Sequence, residues 1–134
     1  MNLAIRYYTR GGNTEKLANA ISEELNIPAK KVSEKLTERA DILFLGCSYY
    51  AFDVDDEVKS FIRNNKDNIS KIVVFGTSAM IKSMLKPIRK VTDELGIEVS
   101  NDEFHCSGSF GALHKGRPNE DDIANAKKFA HKYL

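Results

Sequence analysis

The chain carries almost no excess charge and contains no long apolar run. Its 20 basic and 19 acidic residues give a net charge of +1 over 134 residues. Because a dedicated nucleic-acid binder usually carries a basic excess, we expect no nucleic-acid partner. No apolar run approaches the ~18 residues that span a membrane, and the N-terminus lacks the pattern of a secretory signal. We therefore expect one cytoplasmic domain over residues 1–134, without membrane association.

Cysteine is also scarce, and this excludes one class of phosphate enzyme. Cys47 and Cys106 match neither a CxxC pair nor a metal-ligand spacing, so we expect two reduced, buried thiols. A low-molecular-weight phosphatase needs a Cys-x5-Arg loop, but the arginine position holds Asp53 in one case and Ala112 in the other. A response-regulator receiver needs acidic residues near Thr9 and Cys47, and these are missing too.

Strand and helix patterns alternate along the chain. Apolar runs at 41–47 and 71–76 are typical of strands that are covered on both faces, as in a parallel sheet. Strands are predicted at 2–8, 29–32, 41–47, 71–76 and within 97–106, and helices at 13–25, 55–65, 81–95 and from 118 onward. Five strands alternating with four or five helices predict a doubly wound α/β domain. In such domains a ligand binds beyond the carboxyl ends of the strands.

The loop after the first predicted strand has the composition of an anion site. It reads Thr9-Arg10-Gly11-Gly12-Asn13-Thr14 and leads directly into a helix. Backbone N–H groups and the helix dipole favour an anion there, and phosphate is the usual one. The loop is neither a Walker P-loop nor a GxGxxG fingerprint, since the lysine and the glycine spacing are absent. A plain strand-to-helix turn capped by Thr or Asn remains an alternative.

Three further loops lie at the same predicted edge of the sheet. The segment 48–55 places three aromatic residues among four, which can form a flat wall for a planar ligand or fold inward as core. The segment 77–80 can supply hydroxyl and backbone hydrogen bonds, or it can be an ordinary turn. The segment 107–117 is mildly basic, and we expect its charged residues at the surface.

These loops resemble those of the flavodoxin family in content and order. The phosphate-binding loop of that family, a hydroxyl-x-Thr-Gly-x-Thr pattern, is similar to Tyr-Thr-Arg-Gly-Gly-Asn-Thr-Glu-Lys-Leu-Ala at 8–18. The two loops that flank the flavin are similar to 44–52 and 73–78, and 104–110 and 115–122 also recur in flavodoxin-like domains. The resemblance implies a flavodoxin-like, five-stranded parallel sheet with helices on both faces, in the short-chain form.

The resemblance also implies bound FMN and low-potential one-electron transfer between redox partner proteins. It assigns the FMN phosphate to Thr9, Arg10, Gly11, Gly12, Asn13 and Thr14. It assigns one side of the isoalloxazine to Ser48, Tyr49, Tyr50 and Ala51, and the other side to Thr77, Ser78, Ala79 and Met80. We expect a monomer with neither a metal nor catalytic residues of its own, in which the protein tunes the cofactor.

Four features depart from the family pattern, and one of them is the absence of glycine from the segment 47–55. Gly11 stands where the family usually has Thr, Met80 stands where many members have an aromatic residue, and the net charge is near neutral instead of acidic. An acidic cluster does occur beside the proposed flavin edge, as a docking surface or as simple helix capping; it comprises Asp53, Asp55, Asp56 and Glu57. Two alternatives therefore stay open: a small FMN-dependent oxidoreductase acting on a quinone or similar substrate, and a flavodoxin-like module that has lost FMN.

Overall fold

The apolar runs form the central strands of a sheet. The computed structural model describes residues 1–50, 53–78, 83–109 and 115–134. Its strands are β1 (Leu3–Tyr7), β2 (Ala29–Lys31), β3 (Ile42–Tyr50), β4 (Asp53–Val54), β5 (Lys71–Ser78) and β6 (Glu98–Ser107). Its helices are α1 (Asn13–Leu25), α2 (Asp56–Asn64), α3 (Leu85–Leu95) and α4 (Glu120–His131), and a 3-10 turn covers Lys66–Asn68. All five predicted strands and all four predicted helices are present, and β4 is an addition to them.

The sheet has the doubly wound order that the sequence predicts. Its five parallel strands lie in the order β2-β1-β3-β5-β6. The chain therefore winds first toward β2 and then, through β3, toward β6. The carboxyl ends of β1 and β3 flank the point where the winding direction changes, which is where such folds bind ligands. Helices α1 and α4 pack on one face of the sheet, and α2 and α3 pack on the other.

Two apolar layers hold these helices against the sheet. In one layer Leu17 of α1 packs with Phe44 of β3. In the other layer Ile62 of α2 and Ile88 of α3 pack with Leu45, the next residue along β3. Each side chain of this kind stabilises the fold by about 1.5–3 kcal/mol when it is fully buried. The loops at the carboxyl edge are thus mounted on a rigid, two-sided core.

The two cysteines are buried free thiols, as expected. Desolvation raises the pKa of the Cys47 thiol and raises that of Cys106 to about 12. Both side chains are therefore neutral, inert parts of the apolar layers at neutral pH. None of the helices in the described ranges is long and apolar enough to cross a membrane.

Two strands extend further than the sequence indicates. Residues 48–50 and 77–78, which the pattern assigns to loops, continue β3 and β5 as strand. The ladder between these strands runs on through Ser48 opposite Thr77 and Tyr49 opposite Ser78. In addition, the end of β3 pairs antiparallel with β4. Continued pairing with two neighbours therefore overrides the loop-like composition of these residues.

Helix α3 begins later than expected. The spacing of apolar residues predicts a helix from residue 81, but Ser83 and Met84 are not helical and α3 begins at Leu85; residues 81 and 82 lie outside the described residues. Pro87 falls in the first turn, where a backbone N–H has no intrahelical acceptor in any case. The proline is therefore accommodated inside the helix and does not divide it.

Candidate functional site

The loop between β1 and α1 turns at a glycine. Gly12 has φ 92° and ψ −2°, a left-handed conformation that glycine adopts without a steric penalty. Its N–H donates to Thr9 Oγ1 over 2.8 Å. The N–H groups of Asn13, Thr14 and Glu15 have no protein acceptor within the described residues, which is normal for the first turn of a helix. These donors, with the helix dipole behind them, provide a place for an anion.

Three of the predicted site residues meet directly beneath this loop. Thr14 is fully buried, and its Oγ1 lies 3.1 Å from Ser48 Oγ and 3.0 Å from Thr77 Oγ1. We call these three residues the hydroxyl cluster. They come from α1, β3 and β5. The cluster therefore joins the loop at 9–14, which we call the phosphate-type loop, to the carboxyl ends of two central strands. Each hydroxyl can rotate its hydrogen toward a neighbour or toward a ligand.

The loop after β6 packs against the same turn. Asn13 Nδ2 donates to the carbonyl of Ser109 over 2.9 Å, and the N–H of Gly108 donates to the carbonyl of Ser78 over 3.1 Å. A Cβ on Gly108 would lie 3.0 Å from both Asn13 Nδ2 and Thr77 Cβ. A side chain at 108 would therefore press on Asn13 and Thr77, and glycine allows the close approach. The sequence analysis missed Gly108 and Ser109; the signal available was a glycine between small residues at a strand end.

Arg117 anchors this last loop to α4. Its Nε and Nη2 donate to the carboxylate of Asp122 over 2.5 and 2.8 Å, and its carbonyl accepts from the Ser109 N–H over 2.9 Å. Asp122 also forms a capping box with Asn119 at the start of α4. The hydrogen bonds from Arg117 lower the pKa of Asp122. Arg117, expected as a plain surface cation, thus has a structural role, while His114 lies outside the described residues.

Asp55 links two of the predicted loops, a role that the sequence did not indicate. Its carboxylate accepts from the Ser48 N–H over 3.0 Å and from Arg10 Nε over 3.0 Å, and the residue is 2% exposed. The hydrogen bond to Asp55 raises the pKa of Arg10. The pattern predicts Asp55 or Asp56 as the cap of this helix; Asp55 does occupy that position in α2, but its side chain makes no capping bond. Its oxygens serve the loops instead.

The acidic cluster does not form a single exposed patch. Asp53 pairs with Lys59 over 2.6 Å, and this hydrogen bond lowers the pKa of Asp53. Asp55 is buried as described above. Asp56 and Glu57 are exposed in the first turn of α2, where acidic side chains complement the helix dipole. Asp53 and Asp55 are therefore engaged in close ion pairs, and Asp56 and Glu57 are the exposed members of the cluster.

The structure describes part of each predicted flavin wall. Tyr49 is half-buried in β3 and packs against the layer beneath α2 and α3. Thr77 and Ser78 are buried at the end of β5. Ala51, Ala79 and Met80 lie outside the described residues, as does the side chain of Tyr50. Gly11 is exposed, and a Cβ placed on it would meet nothing within 4 Å.

The described residues offer no cluster of metal-ligating side chains at this edge. Within the part of the chain that the structure describes, no group of three or more His, Cys, Asp or Glu side chains is positioned to hold a metal ion. The hydroxyls and backbone N–H groups at the carboxyl edge suit an oxyanion better than a cation, and the Asp55 carboxylate beside them is paired with Arg10.

The geometry thus defines a doubly wound α/β protein in which the hydroxyl cluster and the start of α1 meet at the topological switch point. The model of the flavodoxin domain family matches residues 4–110. The chain belongs to that family.

Relatives and solved structures agree with this assignment. The chain is 34% identical over 136 residues to an uncharacterised protein of Methanocaldococcus jannaschii, covering 91% of this chain and 90% of that protein. A flavodoxin from the domain Archaea has a TM-score of 0.79 at 15% identity, covering 98% of this chain and 95% of that one. A Lactobacillus acidophilus flavoprotein solved in complex with FMN has a TM-score of 0.66 at 14% identity, covering 78% and 91%. At these identities the two structures show the shared fold alone.

Proposed function

We propose that this protein binds FMN and carries single electrons between redox partner proteins. The observation that carries the proposal is the convergence of the first-turn N–H groups of α1 with the hydroxyl cluster at the switch point. Membership in the flavodoxin family supports FMN as the ligand. The FMN complex of the Lactobacillus acidophilus flavoprotein, which shares the fold, supports the same choice.

The donor set fits the phosphate of FMN. A phosphate group offers acceptor oxygens, and this edge offers the Thr9 hydroxyl, the hydroxyl cluster and the N–H groups at the start of α1. The buried carboxylate of Asp55 shares the edge, but its charge is balanced by Arg10. We infer that Asp55 thereby holds the phosphate-type loop and β3 in register without repelling an anion.

The remaining role of the chain is to hold and shield the flavin ring. Bound FMN would supply the one-electron chemistry. Tyr49, half-buried at the end of β3, offers a ring for stacking, which contributes about 0.5–1.5 kcal/mol beyond simple burial. Ser48 and Thr77, at adjacent strand ends, would orient the cofactor by hydrogen bonds and exclude water from its phosphate side.

A titration with FMN and with riboflavin, which lacks the phosphate, tests the site. We expect FMN to lose fluorescence on binding and to raise the melting temperature. Hydrogen bonds to a charged group contribute about 1.5–3 kcal/mol each, so losing two weakens riboflavin by roughly a hundredfold or more. Equal affinity for FMN and riboflavin would show that the phosphate-type loop does not bind the phosphate. Binding of neither would favour the module that has lost FMN.

A second experiment separates the carrier from the oxidoreductase. The FMN-loaded protein is supplied with NADH or NADPH, with and without a quinone, and nucleotide oxidation is followed. We expect no sustained oxidation by the loaded protein alone, together with electron exchange when a redox protein is added. Sustained turnover without a partner protein would instead identify a small FMN-dependent oxidoreductase.

A further inference from the structure

A concave surface lies beside Tyr49. It encloses about 720 Å³ between two walls: the end of β3 with β4 and α2 on one side, and the first half of α3 on the other. We call it the lysine cleft, and it is lined mainly by Tyr49, Asp53, Lys59, Lys86, Pro87 and Lys90. Tyr49 belongs both to this cleft and to the proposed flavin wall. The cleft therefore begins where the proposed cofactor site ends.

The charges in the cleft are not balanced. Lys59 is paired with Asp53 over 2.6 Å and lies 4.0 Å from Asp56. Lys86 and Lys90 are exposed, and neither has an acidic partner within 4.0 Å among the residues that the structure describes. Since they stand four residues apart on α3, they share one face of the helix, and their like charges repel each other. Two uncompensated positive charges thus line the cavity.

One of these charges, that of Lys90, acts across the cleft. The pKa of Asp53 is lowered mainly by its hydrogen bond from Lys59, and the charge of Lys90 lowers it further. Lys90, on the α3 wall, is therefore close enough to act on a carboxylate of the opposite wall. A carboxylate from another molecule, placed between the walls, would experience the same attraction without already having a partner.

We propose that the lysine cleft docks an acidic surface of a redox partner protein. The proposal rests on the carrier function proposed above, because it places the partner beside Tyr49, at the edge of the cofactor site. Charge complementarity selects an acidic partner. In the acidic cluster Asp53 and Asp55 are already engaged, so Asp56 and Glu57, at the start of α2 and outside the cleft, are its exposed members. Charges at the rim of an interface act chiefly on the association rate, so the contact would be fast and salt-dependent.

The first test is kinetic and uses the FMN-loaded protein. An acidic [2Fe–2S] ferredoxin reduces it, and the rate is measured against ionic strength for the wild type and for Lys86→Glu/Lys90→Glu. The matched control, Lys30→Glu/Lys66→Glu, also takes the net charge from +1 to −3 but changes two exposed lysines outside the cleft. We expect the cleft variant to lose roughly tenfold in rate at low salt, and the control to lose twofold or less. Equal losses in both variants would overturn the proposal, as would no loss in the cleft variant.

The second test does not need FMN. Amide NMR shifts are recorded while decaglutamate or decalysine is added to the protein as purified. We expect decaglutamate to shift Tyr49, Lys86 and Lys90, and Lys86→Gln/Lys90→Gln to abolish these shifts. Scattered shifts, or decalysine shifting the same amides, would overturn the docking surface. If FMN does not bind but decaglutamate still maps to the cleft, the carrier function fails while the docking site for an acidic surface stands.

Discussion

Polar groups are paired with one another at one end of the sheet edge, whereas in the lysine cleft two charges are left to solvent. The first region comprises the hydroxyl cluster, Asp55 and the loop at 9–14, and we call it the phosphate end because the phosphate of FMN is proposed to bind there. The hydroxyl cluster shares two hydrogen bonds, and Asp55 is 2% exposed between Arg10 and Ser48. Lys86 and Lys90 of α3 are exposed, and neither has an acidic partner within 4.0 Å among the residues that the structure describes. The two regions are neighbours, yet one is buried and internally bonded and the other is open.

The difference matches two kinds of ligand. A buried network whose members are already hydrogen-bonded orders its groups during folding, so less order has to be created when a ligand binds. Exposed lysines keep their rotamer freedom, and each exposed ion pair they form is worth about 0–1 kcal/mol. The phosphate end is therefore suited to retaining one ligand, and the lysine cleft to brief encounters with many copies of a partner.

The largest expected effect comes from breaking the hydroxyl cluster. Thr14→Val removes the hydroxyl that contacts both Ser48 and Thr77 and leaves a residue of the same shape. We expect the free energy of unfolding to fall by about 1–3 kcal/mol, because buried hydroxyls lose a partner. FMN affinity should fall tens-fold. Urea unfolding and a fluorescence titration measure the two effects.

Thr14→Ser is the matched control for that change. It keeps the hydroxyl and removes one methyl group, so FMN affinity should stay within a few-fold of wild type. If Val and Ser weakened FMN equally, the hydroxyl would have no part in binding. If neither variant changed stability, the cluster would not have the structural role described here.

A smaller effect depends on pH and compares two ion pairs: Arg117–Asp122 at the start of α4 and Lys59–Asp53 in the lysine cleft. Hydrogen bonds from Arg117 lower the pKa of Asp122 below its ordinary value of 3.8. A carboxylate with a lowered folded pKa stabilises the protein fully above its unfolded pKa, and this is lost as the pH falls through the folded pKa. We expect the melting temperature to fall as the pH drops below about 4, and Asp122→Asn to reduce that dependence.

Asp53→Asn is the corresponding change in the lysine cleft. The pKa of Asp53 is also lowered, chiefly by Lys59, so its contribution is lost in the same acid range. Its side chain is 49% exposed against 9% for Asp122, and solvent therefore screens the pair more strongly. The acid-range slope should change less for Asp53→Asn than for Asp122→Asn. A larger change for Asp53→Asn would mean that the Asp53–Lys59 pair, and not the Asp122–Arg117 pair, contributes more to stability in acid.

Much of the fold followed from periodicity, and the exceptions have local causes. The runs at 41–47 and 71–76 predicted buried parallel strands because such strands are apolar on both faces. The extensions of β3 and β5 could not be predicted, since Ser48, Tyr49, Thr77 and Ser78 become strand only by pairing across the sheet. Helix α3 begins at Leu85, which places Pro87 in its first turn. The sequence alone does not show that a proline is acceptable there, because this depends on where the helix starts.

For the candidate site, the loops were predictable and their connections were not. The hydroxyls of Thr14, Ser48 and Thr77 were each expected at the edge, but only the sheet order brings them within 3.1 Å of one another. Asp55 resembled a helix cap because the sequence does not reveal which acceptor a buried carboxylate will serve. Long-range pairing, and not local pattern, decided these contacts.

The smallest expected effect restores the family residue at the weakest position of the phosphate end. Gly11 is exposed, a Cβ there meets nothing within 4 Å, and its backbone is not in the left-handed region that would strain a side chain. Gly11→Thr adds one hydroxyl, and one net hydrogen bond of about 1 kcal/mol corresponds to roughly fivefold tighter FMN binding. Gly11→Ala adds the Cβ alone and should leave affinity unchanged, with riboflavin insensitive to both variants. If Gly11→Thr failed to tighten FMN while Gly11→Ala remained neutral, the donors already present would saturate the phosphate, and the phosphate end would be complete without a hydroxyl at 11.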